Sequence, residues 1–161
     1  MSNQTKLIAE DGKQELFMLR EFDLPVELLF KAFTDPGLLV QWMSNNHSQM
    51  TVEKMENKSH GCWRFVQRDK TGKEYWFNGV IHEFFAPQRI IRTFEIENSA
   101  GKGNVQLEFL TFEAITESSS KLIIQTLYKS NLDRDTMIKY GMEKGANLAH
   151  NRLQEIINKL K

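Results

Sequence analysis

Four side chains carry ionisable chemistry in an unusually aromatic setting: His82, Glu83, Arg64 and Arg92. His82 and Glu83 fall in a run of alternating character over 73–85, with the two arginines on neighbouring runs of the same kind. Successive strand side chains point to opposite faces, so at most one of His82 and Glu83 faces inward. An inward ionisable group in an apolar cavity would be a candidate acid–base or ligand-orienting residue. The competing reading makes all four solvated outer-face residues. Other chemistries find less support. His47, His60, His82 and His150 are scattered, with no pair at i, i+3 or i+4 and no His-Glu-x-x-His or Cys-x-x-Cys spacing, so no metal site and no cofactor are expected. Cys62 is the one cysteine and follows Gly61 at a strand start, which fits a small core or surface thiol. No Gly-x-Ser-x-Gly elbow or P-loop occurs, and Gly101-Lys102-Gly103 reads as a hairpin loop.

Aromatic residues are in excess, with 11 Phe, 3 Trp and 3 Tyr. Trp76, Val80 and Phe84 on one face of a strand and Phe77 and Ile81 on the other make that strand apolar on both sides. Either both faces are covered, or one lines a pocket or a partner surface. Gly141 and Gly145 lie four residues apart in a helical pattern, where each weakens the helix by about 1 kcal/mol relative to Ala. The pair permits either close helix–sheet contact or an open volume under the helix. Met137 and Met142 beside it suit a malleable wall.

The elements that would position these residues follow from hydrophobic period. Glu15 to Phe22 reads as a strand ending at Asp23-Leu24-Pro25. Val26, Leu29, Phe30 and Phe33 give a short helix over 26–34, broken by Asp35-Pro36, and Leu38, Leu39 and Trp42 give a second. From Met50 the period becomes two. Strands are expected at 51–54, 61–69, 73–85, 89–97, 105–115 and 121–129, and the short turns between them make the sheet antiparallel. The alternation slips within 105–115, which suggests a β-bulge near Phe109–Thr111. Asp133 is the expected N-cap of one long amphipathic helix from about 134 to 160. The expected class is α+β, with a curled sheet of six to seven antiparallel strands around the long helix and two short N-terminal helices.

A chain of 161 residues fits one domain, expected over 15–161 behind a flexible arm of residues 1–14. With 21 basic and 21 acidic side chains, it offers no basic field for nucleic acid. No apolar run reaches the ~18–20 residues of a membrane span, and the polar N-terminus has no signal-peptide core. No nucleic-acid partner, no membrane insertion and a cytoplasmic location are expected.

Four motifs in order resemble the activator of heat-shock protein 90 ATPase homologue family, a branch of the START-like (SRPBCC, Bet v-like) superfamily. They are FDLPVELLFKAFTDPGLLVQW, GCWRF, NGVIHEFFAPQRIIRTF and KYGMEKGANLAHNRLQEIINKL, and the resemblance spans residues 15–160. It implies a helix-grip fold, in which a curved antiparallel sheet wraps a long C-terminal helix around a deep apolar cavity. Two departures are visible. Ala146 stands where the family usually places a tryptophan after the second helix glycine, and Trp42-Met43 stands where a tryptophan pair is common. The leading expectation is a binding protein for a small apolar or amphipathic molecule. Its expected lining is Trp42, Trp63, Phe65, Trp76, Ile81, Phe94, Phe109, Met137, Met142 and Leu148, with Gly141 and Gly145 supplying room. The resemblance also implies a heat-shock protein 90 chaperone as an alternative partner, with a part in the stress response. A third reading is a cyclase- or hydrolase-like enzyme using His82, Glu83 or an arginine. No residue constellation demands catalysis.

Overall fold

The computed structural model describes residues 3–97 and 104–160; the Gly101-Lys102-Gly103 loop lies outside them. The chain runs β1 (Lys6–Ile8), β2 (Glu15–Phe22), α1 (Val26–Thr34), α2 (Pro36–Met43), β3 (Ser48–Met55), β4 (Cys62–Asp69), β5 (Glu74–Phe85), β6 (Arg89–Ile96), β7 (Val105–Ala114), β8 (Ser120–Leu127), α3 (Asn131–Lys139) and α4 (Met142–Asn158). The strands form one antiparallel sheet in the order β1-β2-β8-β7-β6-β5-β4-β3. It has eight strands rather than six to seven, because β1 adds an edge strand from the segment expected as a flexible arm.

Register assigns each strand a concave and a convex face. Leu16, Met18, Arg20 and Phe22 of β2 are buried at alternate positions, and Leu110 and Phe112 of β7 and Leu122 of β8 bury with them. α1 and α2 close one end of this core with Leu29, Phe30, Phe33, Leu39 and Trp42. α1 starts directly after Pro25, which needs no N–H there. The Asp35 side chain accepts from the Gly37 and Leu38 amides and caps α2. The Trp42 indole donates to the Ala32 carbonyl at 2.8 Å, tying the two helices together. Leu153 and Ile157 bring the second half of α4 onto the same core.

Two sequence expectations are corrected. β7 pairs continuously with both neighbours, so the expected bulge is absent there; register shifts occur instead between Val52 and Lys54 of β3 and between Ile81 and Glu83 of β5. Such bulges bend a sheet and increase its twist. The terminal segment is two helices rather than one. Ser130 caps α3 by accepting from the Asp133 amide, in place of Asp133 itself. Gly141, at φ 81°, takes the left-handed conformation that separates α3 from α4.

Candidate functional site

The concave face is aromatic at its centre. Trp63 packs on Phe65 and Phe94 with ring centroids 4.6 and 5.3 Å apart, and Phe94 meets Phe77 at 5.7 Å. Gly79 makes this possible, since a Cβ there would lie 2.5 Å from the Trp63 indole nitrogen and 2.0 Å from the Thr93 carbonyl oxygen. Beside Trp63 the face turns polar. Arg92 of β6 lies over the Trp63 ring at 4.9 Å and donates to Glu108 of β7 at 2.9 Å, and this pair is largely withdrawn from water. Cross-strand register sets Arg92 opposite Glu108 and Glu108 opposite Thr126, which is buried too. Tyr128, just beyond β8, completes the group. It is 7% exposed, and its hydroxyl has no hydrogen-bond partner among the described residues. Burial, reinforced by the Glu108 charge, raises the phenol well above its ordinary range, so it stays protonated.

Tyr128 forms part of the wall of a cleft of about 320 Å³. Ile96, Val105 and Gln106 line the sheet side; Thr136, Met137 and Tyr140 line the helix side, on and just beyond α3. Lys129 and Asp133 stand at this cleft 3.8 Å apart. Another surface concavity, by Asn45, His47 and Arg68, is walled mainly by polar side chains of β3, β4 and the segments beside them. Buried Arg134 anchors α3 by donating to the Glu10 and Glu15 carbonyls at 2.6 and 2.9 Å. α4 is held separately. Asn147 accepts from Arg20 at 3.0 Å and from the Thr5 amide at 2.9 Å, and Asn151 accepts from Arg20 at 2.9 Å. His150 Nδ1 lies 2.7 Å from the Thr5 hydroxyl, and burial together with Arg20 pushes this imidazole down to about 3. Burial likewise lowers the Arg20 guanidinium.

The expected site residues divide by face. Trp63, Phe65, Ile81 and Phe94 meet on the concave face and Trp42 is buried in the core beside them, while Met137 reaches the cleft wall. Trp76 and Phe109 are corrected to the convex face, because they stand in register with Val66 and Ile91 rather than with the inward residues. Trp76 lies under the Arg64 guanidinium at 4.1 Å, and Arg64 is held on that face by Glu53 and a two-point bond to Glu97. Leu148 is 49% exposed, and Gly141 and Gly145 are also exposed, with open space where a Cβ would stand. Met142 is half-buried at the start of α4. Of the four polar candidates, Arg92 alone enters the interior. The β5 bulge leaves His82 exposed, and Glu83 pairs with Arg89 at 2.6 Å across from Ile91. An acid–base role for either in a cavity therefore lacks a geometric basis.

Sequence reasoning missed Glu108, Tyr128, Arg20 and the burial of His150. Glu108 had a signal: a lone acid within the apolar stretch of 105–112. Among the described residues, no group of three or more His, Cys, Asp or Glu is gathered to hold a metal. Among the described residues, no helix is long and apolar enough to cross a membrane.

A curved antiparallel sheet gripping a C-terminal helical segment, with a cleft between them, defines a helix-grip protein of the START-like class. The chain belongs to the Activator of Hsp90 ATPase homolog 1-like protein family, whose model matches residues 23–158. Solved structures agree in fold. A Rhodobacter sphaeroides protein superposes with a TM-score of 0.87 at 20% identity, over 97% of this chain and 99% of that one. Protein Ms6760 from Mycobacterium smegmatis gives 0.83 at 17% identity, over 94% and 95%. An HSP90 activator from Plasmodium falciparum gives 0.60 at 16% identity, over 90% and 96%. No curated protein matches the chain.

Proposed function

We propose that this protein binds a small amphipathic molecule in the cleft between α3 and the ends of β6–β8. The observation that carries the reading is the cleft of about 320 Å³ between α3 and the sheet, whose exposed wall is mainly apolar. Apolar ligand surface laid against Ile96, Val105 and Met137 would add about 25 cal/mol per Å² withdrawn from water. The volume sits at the low end of ordinary ligand pockets, which favours a compact molecule. Titration with a panel of fatty acids, sterols and flavonoids, read by tryptophan fluorescence, tests this. Saturable quenching or enhancement that is lost in Met137→Trp, which fills the cleft, supports binding there. A flat response across the panel argues against it.

A second reading rests on the family itself: interaction with a heat-shock protein 90 chaperone. An ATPase assay with the chaperone from the same cell distinguishes it. Stimulated turnover supports a co-chaperone role, and unchanged turnover at saturating protein counts against one.

A further inference from the structure

Among the described residues, the helices pack against the concave side of the sheet and leave its convex face to solvent. At the β3–β5 end of that face, Arg64 and its carboxylates cover Trp76. Toward β1 the register sets out a different surface. Ile8, Phe17, Gln125, Phe109 and Ile91 stand side by side on the five adjacent strands β1, β2, β8, β7 and β6. Leu19 and Ile123 flank this row on one side, Leu107 and Leu127 on the other. We infer that this face joins a second copy of the chain, sheet against sheet, across a two-fold axis at Gln125.

The row itself selects a second copy as the occupant, because it reads the same in both directions: Ile, Phe, Gln, Phe, Ile. A two-fold axis along β8 at Gln125 lays Phe17 on the partner's Phe109 and Ile8 on the partner's Ile91. An isologous interface requires this kind of self-complementarity. Gln125 meets its own copy there, and a primary amide both donates and accepts. Lys6, beside Leu19, comes against the partner's Arg89, whose ion pair with Glu83 supplies an offsetting carboxylate. Size points the same way. Five strands at about 4.8 Å and three rows at about 6.8 Å span roughly 500 Å² in flat projection. Side-chain relief and the bordering charged row of Glu21, Lys121 and Glu113 extend this toward the roughly 600–1,000 Å² per partner of stable interfaces. Ile8 and Leu127 are 47% and 36% exposed, and Phe17, Leu19, Phe109 and Ile91 are half-buried, so apolar surface remains to be withdrawn from water. A formal charge of zero adds no net repulsion between copies. Aligned packing of two sheets is an ordinary way for such faces to join.

The test is sedimentation of the full chain over a micromolar concentration series. The expected mass rises with concentration from 18.8 kDa toward twice that value. Ile8→Lys and Ile91→Glu should each raise the dimer dissociation constant about tenfold or more, because each buries an unpaired charge. Combined in one chain, they should restore it to within about threefold of the wild type. Ile8 and Ile91 stand four strands apart, about 19 Å within one chain, so recovery can only come across the interface. Tyr140→Ser, which removes an exposed ring on the cleft side, should dimerise as the wild type does. Ile8 is exposed on an edge strand, so its variant keeps the fold, and thermal melts verify this for the others. A chain that stays monomeric throughout overturns the inference and leaves the face to a different partner. A combined variant no tighter than the weaker single one, or a dimer abolished by Tyr140→Ser, overturns it as well. Ligand titrations in the cleft decide neither outcome, so this inference and the binding reading stand or fall separately.

Discussion

At the scale of single residues, the interior is defined by charges that hold one another. Arg92 and Glu108 sit on adjacent strands with only 17% and 12% of their side chains exposed. Breaking such a pair leaves an uncompensated buried charge and typically costs about 3–5 kcal/mol, whereas replacing both partners with apolar residues is often near neutral. Glu108→Ala should therefore lower the urea midpoint sharply, and Arg92→Leu/Glu108→Leu should recover most of the loss. Equal destabilisation in the single and double variants would show that the pair is not the source. His150 gives a second test, in pH. Its ordinary value is 6.5, and in the folded state it is held down to about 3 by burial and then by Arg20. Its neighbours are the Thr5 hydroxyl, the Phe22 and Trp42 rings and the Arg20 guanidinium. A depressed histidine means that the unfolded chain takes up the proton first, so stability falls as pH drops below 6.5 towards the folded value. The slope reaches at most about 1.4 kcal/mol per pH unit. Urea midpoints at pH 7 and pH 5 should differ for the wild type and converge in His150→Gln. Persistence of the full difference in that variant would assign it elsewhere.

At the scale of elements, hydrophobic period revealed what it can report. α1, α2 and the seven strands β2 to β8 overlap their expected places, because each carries a helical repeat, an alternation or an apolar run bounded by turn residues. The failures have physical causes. β1 is three residues long, too short to show a period, and it is held by β2 pairing together with the Glu143 bond to the Leu7 amide. The apparent slip in β7 arises because Glu108 faces inward among apolar neighbours, where Arg92 neutralises it, while Leu107 and Phe109 face outward. Polarity thus ceases to mark the face. The terminal helix looked continuous because Ile138 and Met142 stay in helical spacing across the break at Gly141. The candidate site was only half legible for the same reason: Trp63, Phe65 and Phe94 belong to clean alternations, whereas Tyr128 gains its role from a loop position after β8. Glycine substitutions separate these situations. Gly145→Ala enters open space on an exposed helical face and should stabilise by about 0.5–1 kcal/mol. Gly79→Ala would drive a methyl into the Thr93 carbonyl and the Trp63 indole and should cost several times more, about 3 kcal/mol or above. Thermal melts of the two variants check both signs, and a well-folded Gly79→Ala would refute the close approach.

At the scale of the whole molecule, the two faces of the sheet are built for different purposes. The convex face carries exposed ion pairs such as Arg64 with Glu53 and Glu97, which cover Trp76 and add little stability in water. The concave face is closed at one end by α1, α2 and the second half of α4, and it remains open at the other beneath α3. α3 and α4 are fastened to the N-terminal segment by different bonds, Arg134 to Glu10 and Glu15, and Asn147 to Thr5. Gly141 joins them. This division leaves the cleft wall formed by α3 structurally distinct from the packed half of α4. The most direct test of the account is amide chemical-shift mapping of the full chain during titration with the panel of fatty acids, sterols and flavonoids. Saturable shifts concentrated at Ile96, Val105, Gln106, Tyr128 and the Thr136–Tyr140 stretch are the predicted result. Shifts centred on the convex residues Arg64 and Trp76, or none that saturate, would contradict a ligand site between α3 and the sheet.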